Sequence, residues 1–418
     1  MIHKVITYFI FILAVNLNLQ AQAVTETPPP FNIKTISFNQ GVGNVFPFFK
    51  LGASFQLTFD DLYGNEEDYY FTITHHNYNW EPSELAKAEY LAGTDNQRIQ
   101  NYENSFNTLQ LYSHYRLNFP NNFFQLTKSG NYLVSVFNND KELVFSKKFI
   151  VYEELTDVPM QIKRSRNISD IKEKHNVEFA VKSQNILFQS PNQNVKVILF
   201  QNGKWNNTIV NIKPQYTIGN DLIFRYNTET QFFAGNEYLN FDNKEIRVPT
   251  NTVQRIDSNN GLYSAYLYTD PSRKDKGYTY FPDINGSFLN RNLIAENSDV
   301  QSDYAWMHFT LFAPTLPAKS AIYVTGMFNN YQLSVENKMD YDAEKGVFEK
   351  AILIKQGFNN YNYTLLDSNN KLDEKNAIDG NYYETENIYD AFIYYRANGE
   401  RYDRVIGKGE ASSLNITN

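Results

Sequence analysis

The stretch Phe55-Gln56-Leu57-Thr58-Phe59, followed by Asp60-Asp61-Leu62-Tyr63-Gly64-Asn65 and then Tyr69-Tyr70-Phe71-Thr72-Ile73-Thr74, decides the fold class. Apolar and polar side chains alternate on both sides of a polar, glycine-containing segment, the period-2 pattern of half-buried strands joined by a loop. The same pattern recurs along the chain. Residues 111–117, 132–137 and 143–151 read as strands, with the turn Asn138-Asn139-Asp140-Lys141 joining the last two. Further strands are legible at 161–163, 177–181, 195–200, 261–268, 304–312, 321–326, 348–354 and 361–366, and Asn202-Gly203 marks a turn before Trp205. One short helical candidate, residues 82–88, interrupts them. With 16% aromatic residues, among them 31 Tyr and 32 Phe, the composition favours pleated surfaces over helices. The expected fold is all-β: tandem immunoglobulin-like or early-set β-sandwiches.

The 418 residues exceed what one hydrophobic core organises. The reading divides them into a signal peptide (1–23), an N-terminal sandwich (24–155), a middle sandwich (156–284), a C-terminal early-set-like sandwich (285–404) and a flexible tail (405–418), whose Gly, Ser and Asn leave little to pack. Lys4, the apolar run from Val5 to Val15 and the small residues Ala21 and Ala23 form the three parts of a cleavable export signal. No later segment has the length and apolarity of a membrane helix, and mean hydropathy is -0.51, so the mature chain is expected to be soluble. Loss of Lys4 moves the formal charge from -8 to -9, which disfavours nucleic acid and anionic membrane surfaces as partners. With no cysteine, disulfides, thiolate metal sites and lipid attachment through cysteine are excluded.

No pattern of residues carries catalysis, a metal or a cofactor. His75 and His76 are adjacent, and on a strand they point to opposite faces, so they cannot share one ion. Asp60-Asp61 and Glu66-Glu67-Asp68 lack the spacing of a calcium loop and read as a solvated acidic turn. A nucleophile elbow, a phosphate-cradling glycine loop and a His-Glu-x-x-His helix are all missing. The candidates that remain are contact residues. Tyr78 and Trp80, alternating with asparagines at a strand end, and Asn329-Asn330-Tyr331 after a later strand combine aromatic and amide groups that suit a protein interface or a stacked sugar.

Several long blocks carry a resemblance. Leu57-Thr58-Phe59-Asp60-Asp61-Leu62, residues 69–80, Glu89-Tyr90-Leu91, residues 101–108, Tyr112-Ser113-His114-Tyr115, Lys163-Arg164-Ser165-Arg166, Lys213-Pro214-Gln215-Tyr216, residues 235–242, Tyr268-Thr269-Asp270 and Pro282-Asp283-Ile284-Asn285-Gly286 resemble the type IX secretion system plug protein family. The resemblance implies a non-enzymatic periplasmic protein, lying against the inner face of the outer membrane, that seals the periplasmic opening of the system's large outer-membrane β-barrel translocon. It brings no catalytic residues. Residues 323–331, Gly346-Val347-Phe348-Glu349 and residues 357–363 are also similar to the early-set sandwich of glycogen- and starch-binding modules, with Tyr331 where those modules usually place a stacking Trp. That second resemblance implies the alternative function, a periplasmic glycan-binding protein, although fold likeness does not assign a ligand.

Overall fold

The computed structural model describes residues 24–41, 44–259, 261–316, 319–414 and 416, so the expected signal peptide lies outside the described residues. The chain is all-β, with 45% strand and 4% helix, and the described residues form no closed barrel. The helical candidate at 82–88 contributes a single four-residue turn, Lys87–Tyr90.

Three hydrophobic cores organise the strands. In the first sandwich, one sheet runs Asn44–Val45, Ile33–Asn39, Phe55–Asp61, Ser113–Phe119, Asn101–Asn104, and the facing sheet runs Phe48–Lys50, Leu143–Tyr152, Gly130–Phe137, Tyr70–His76. The two strands read at 55–59 and 69–74 therefore belong to opposite sheets. Cross-strand aromatic pairs fill the space between them: Phe55 stacks on Phe119 with centroids 4.6 Å apart and Phe59 on Tyr115 at 5.0 Å, both in register.

The second sandwich pairs Met160–Arg164, Lys174–Val181, Asp221–Phe224 and Tyr216–Ile218 in one sheet and Ile209–Val210, Val195–Gln201, Ile388–Tyr395 and Arg404–Ser412 in the other. Its core joins Val177, Leu199 and Phe224 to Tyr389, Ile393 and Ile406. The third core, from Phe241 to Ile378, is thus inserted between two halves of the second. This corrects the boundaries at 284 and 404. The strand Leu262–Leu267, assigned to the middle sandwich, pairs in parallel with Tyr304–Phe312 of the third, because its inward side chains Ala265 and Leu267 join that core.

The expected tail at 405–418 is corrected as well. Arg404–Ser412 is a full strand, with Val405 and Ile406 completely buried. Its glycines record close approach instead of slackness: a Cβ on Gly407 would lie 2.1 Å from Thr156 Oγ1, and one on Gly409 2.6 Å from Met160 Sδ. The segment 156–160 can pass across this strand only where side chains are missing.

Candidate functional site

Of the acidic residues that sequence reasoning placed in a solvated turn, Glu66 is exposed as expected, whereas Asp60 lies at the contact between the first and third sandwiches. Asp60 and Asp61 are fully buried at the end of Phe55–Asp61. His114, opposite Asp60 on the neighbouring strand, sits with Nδ1 2.5 Å from Asp60 Oδ1. From the third sandwich, Lys355 Nζ donates to Asp60 Oδ2 at 2.6 Å and Tyr304 Oη donates to the same oxygen at 2.7 Å. Lys355 also donates to the Asp299 carbonyl at 2.6 Å and stands 4.2 Å from the Tyr112 ring centre. Burial alone would push the Asp60 carboxyl up, yet the charges and hydrogen bonds of Lys355 and His114 together hold it below its usual range. For Lys355, burial lowers the ammonium further than the Asp60 and Asp299 carboxylates raise it.

Around this cluster the contact is bonded at many points. The Asp303 carboxylate accepts the backbone amides of Leu109 and Gln110 at 2.6 and 3.0 Å, and the Tyr112 hydroxyl donates to the Ser302 carbonyl at 2.8 Å. Leu62 and Tyr112 pack with Tyr304 and Leu353, flanked by Leu262 and Trp306.

A second contact joins the first sandwich to the second. Phe48 lies 4.7 Å from both Phe200 and Phe392, and Trp205 closes the cluster 4.9 Å from Phe200. Polar bonds surround it: the Tyr394 hydroxyl donates to Asn131 Oδ1 at 2.6 Å, and Arg404 pairs with Glu153 at 2.6 Å. Gly203 turns here with φ +63°, and a Cβ on it would lie 2.3 Å from the Phe46 ring.

The five candidate contact residues fall on these junctions and are largely committed to them. Trp80 is only 9% exposed; its ring meets Trp205 edge-on at 5.3 Å and carries Lys148 Nζ 4.3 Å from its centre. Tyr78 is half-buried against Tyr394, and its backbone amide donates to Asp403 at 3.1 Å. Asn329 uses its side chain on its own turn, accepting from the Gly326 amide and donating to the Val324 carbonyl at 3.0 Å. Asn330 holds the left-handed position that ends the turn Met327–Asn329. The Tyr331 hydroxyl donates to the Gly286 carbonyl at 3.0 Å, and Lys204 stands 5.4 Å from its ring centre, on a face a stacked sugar would need. These aromatics therefore make their contacts within the chain. Although far apart in sequence, the two groups converge: Trp205, which touches Trp80, lines a cleft of about 50 Å³ with Asn330, Tyr331 and Phe38, where all three sandwiches meet.

The adjacent histidines His75 and His76 serve the first sandwich. His75 bonds Ser83 Oγ at 2.8 Å and the Ser129 carbonyl at 3.1 Å, while His76 bonds Thr74 Oγ1 at 2.8 Å, so the adjacent pair faces different partners. Burial pushes His75 down to about 4. Among the described residues no group of three or more His, Asp or Glu could hold a metal ion, and no helix is long and apolar enough to cross a membrane.

The first sandwich is the decisive element for comparison. Residues 33–153, from its first strand to its last, match the family model for the first domain of the type 9 secretion system plug protein. The chain belongs to the type IX secretion system plug family. A crystal structure of a hypothetical protein from Parabacteroides merdae ATCC 43184 is similar over 93% of this chain and 98% of its own, with 30% identity and a TM-score of 0.88. At that coverage the plug-family fold recurs there as a whole, including the inserted third sandwich. No curated protein matches the chain.

Proposed function

We propose that this chain is the plug subunit of the type IX translocon, a periplasmic, non-catalytic body that seals the periplasmic opening of the outer-membrane β-barrel while no substrate passes. Its membership of the plug family carries the reading. A pore wide enough for folded cargo would leak solutes, so the blocking body must hold its shape under load. Bracing of the first sandwich against the other two, by the Asp60 and Lys355 cluster and the Phe48 and Trp205 cluster, supports that role. Trp80 and Tyr331 then serve the plug by locking its three parts together. Export on the signal read at residues 1–23 would deliver the chain to the required side of the membrane.

The test is affinity purification of the tagged chain from the native envelope. The reading expects one large outer-membrane barrel to copurify in stoichiometric amount. Recovery of the chain without any such barrel would overturn it.

A further inference from the structure

The loop 105–111 of the first sandwich presents Phe106, Leu109 and Leu111 at 67%, 53% and 61% exposure, and the adjoining turn adds Tyr63 at 72%. Four large apolar side chains in one place mark an interaction surface more often than scattered exposure does. They are neighbours in space. A Cβ on Gly64 would touch Leu111 Cβ at 3.3 Å, and Gln110 Nε2 donates to the Leu62 carbonyl at 3.0 Å. Leu62 in turn packs with Trp306 of the third sandwich, on which the half-exposed Phe31 ring stacks at 6.5 Å. The loop therefore sits on the seam between the two sandwiches, bonded to Val300 and Asp303 of the third.

The loop is also held rigidly. Its backbone donates from Phe106 to the Val300 carbonyl at 2.9 Å and from Leu109 and Gln110 to Asp303, and Ser105 and Tyr112 close its base. Apolar groups fixed in advance lose little freedom on binding, which is the usual condition of an energetic hot spot. The border is acidic. Glu66 and Glu67 follow the turn, Glu103 precedes the loop, and Glu296 and Asp299 flank Val300. The neighbouring cations are paired, Arg98 with Asp68, Arg116 with Glu103 and Asp299, and Lys34, which stands over the Phe31 ring, with Glu336, so the acidic excess of the border rests on Glu66, Glu67 and Glu296.

We propose that this seam surface is where the chain docks on the translocon, against a protein face that presents apolar side chains bordered by Lys and Arg. The inference rests on the plug reading and specifies which face of the body meets its partner. A second copy of the chain is the poorer occupant, because self-pairing would bring the two acidic borders together.

The experiment measures binding of the full chain to the purified translocon barrel. Leu109→Glu with Leu111→Glu weakens binding by about 30-fold or more, the loss expected at a hot spot. Leu187→Glu, at a residue 75% exposed on the second sandwich, changes it less than about threefold. Melting of both variants matches the parent, since the replaced side chains are exposed. If the double variant misfolds, Tyr63→Glu carries the same expectation. Raising salt weakens the parent's binding. Should the parent bind and the loop variants bind equally well, the docking face is wrong and the plug reading stands. Should the parent not bind the barrel at all, both fall. A dimer that the loop variants dissociate would assign the surface to a second copy and overturn the proposal.

Discussion

Replacing Lys355 by methionine keeps most of the side-chain volume and removes the ammonium that joins the third sandwich to Asp60. Both partners of this pair are essentially without solvent contact, at 1% and 0% exposure. Removing one member of such a pair leaves the other charge buried, which costs about 3–5 kcal/mol. His114 and Tyr304 continue to bond Asp60, so the lower end applies. An unfolding entropy of about 2.1 cal/mol/K per residue, taken over 418 residues, gives roughly 0.9 kcal/mol/K, and a loss of about 3 kcal/mol then lowers Tm by roughly 3 °C. Calorimetry reads the shift. Hydrogen exchange should rise in Tyr304–Phe312 and Ser113–Phe119, the strands that carry Tyr304 and His114. Adding Asp60→Asn to Lys355→Met should recover part of the loss, because the stranded carboxylate is then gone. A loss below about 1 kcal/mol, the value of a solvent-exposed pair, with unchanged exchange would refute the view that this cluster braces the two sandwiches.

Phe48→Ala, at the contact between the first and second sandwiches, should cost about 3–5 kcal/mol by thermal unfolding, because three facing rings lose their partner. Asp270 is a pH-dependent case: burial pushes its carboxyl up to about 6, while its Oδ2 accepts from the Tyr361 and Tyr363 hydroxyls at 2.7 Å each. The raised value means that this group loses stability as pH climbs from about 4 to 6, so Asp270→Asn should equal the parent at pH 4 and exceed it by about 3 kcal/mol at pH 7 in denaturant unfolding. His175 works in the opposite sense, since burial pushes it down to about 4 between Tyr389 Oη and the Tyr383 carbonyl. Its contribution is present above about 6.5 and is lost as pH falls toward 4, so His175→Gln should flatten the acid side of the stability profile by up to roughly 3 kcal/mol.

Strand positions were legible wherever alternation was clean. Phe55–Asp61 follows directly from apolar side chains that recur with period two, while Gly130–Phe137 and Val347–Lys355 follow from short apolar runs. Alternation fixes which face of a strand is inward and carries nothing about which sheet the strand joins. Leu262–Leu267 accordingly read as part of the nearer sandwich, and its parallel pairing with Tyr304–Phe312 across a long connection escaped notice. Gly407 and Gly409 read as slack because composition does not distinguish a glycine that frees the backbone from one that admits a neighbour. The buried cluster was hidden for a related reason. Asp60 depends on His114 and Lys355, 54 and 295 residues away, and no local pattern links them. One signal was present: a charged residue closing the apolar run Ile352-Leu353-Ile354-Lys355 must either reach solvent or find a partner.

Whether this body closes a pore is read directly by conductance of the purified translocon barrel in a planar bilayer, with the chain added from the periplasmic side. Stoichiometric addition should abolish the open-pore current, and addition from the opposite side should leave it unchanged. Persistent full conductance with the chain demonstrably bound would contradict closure.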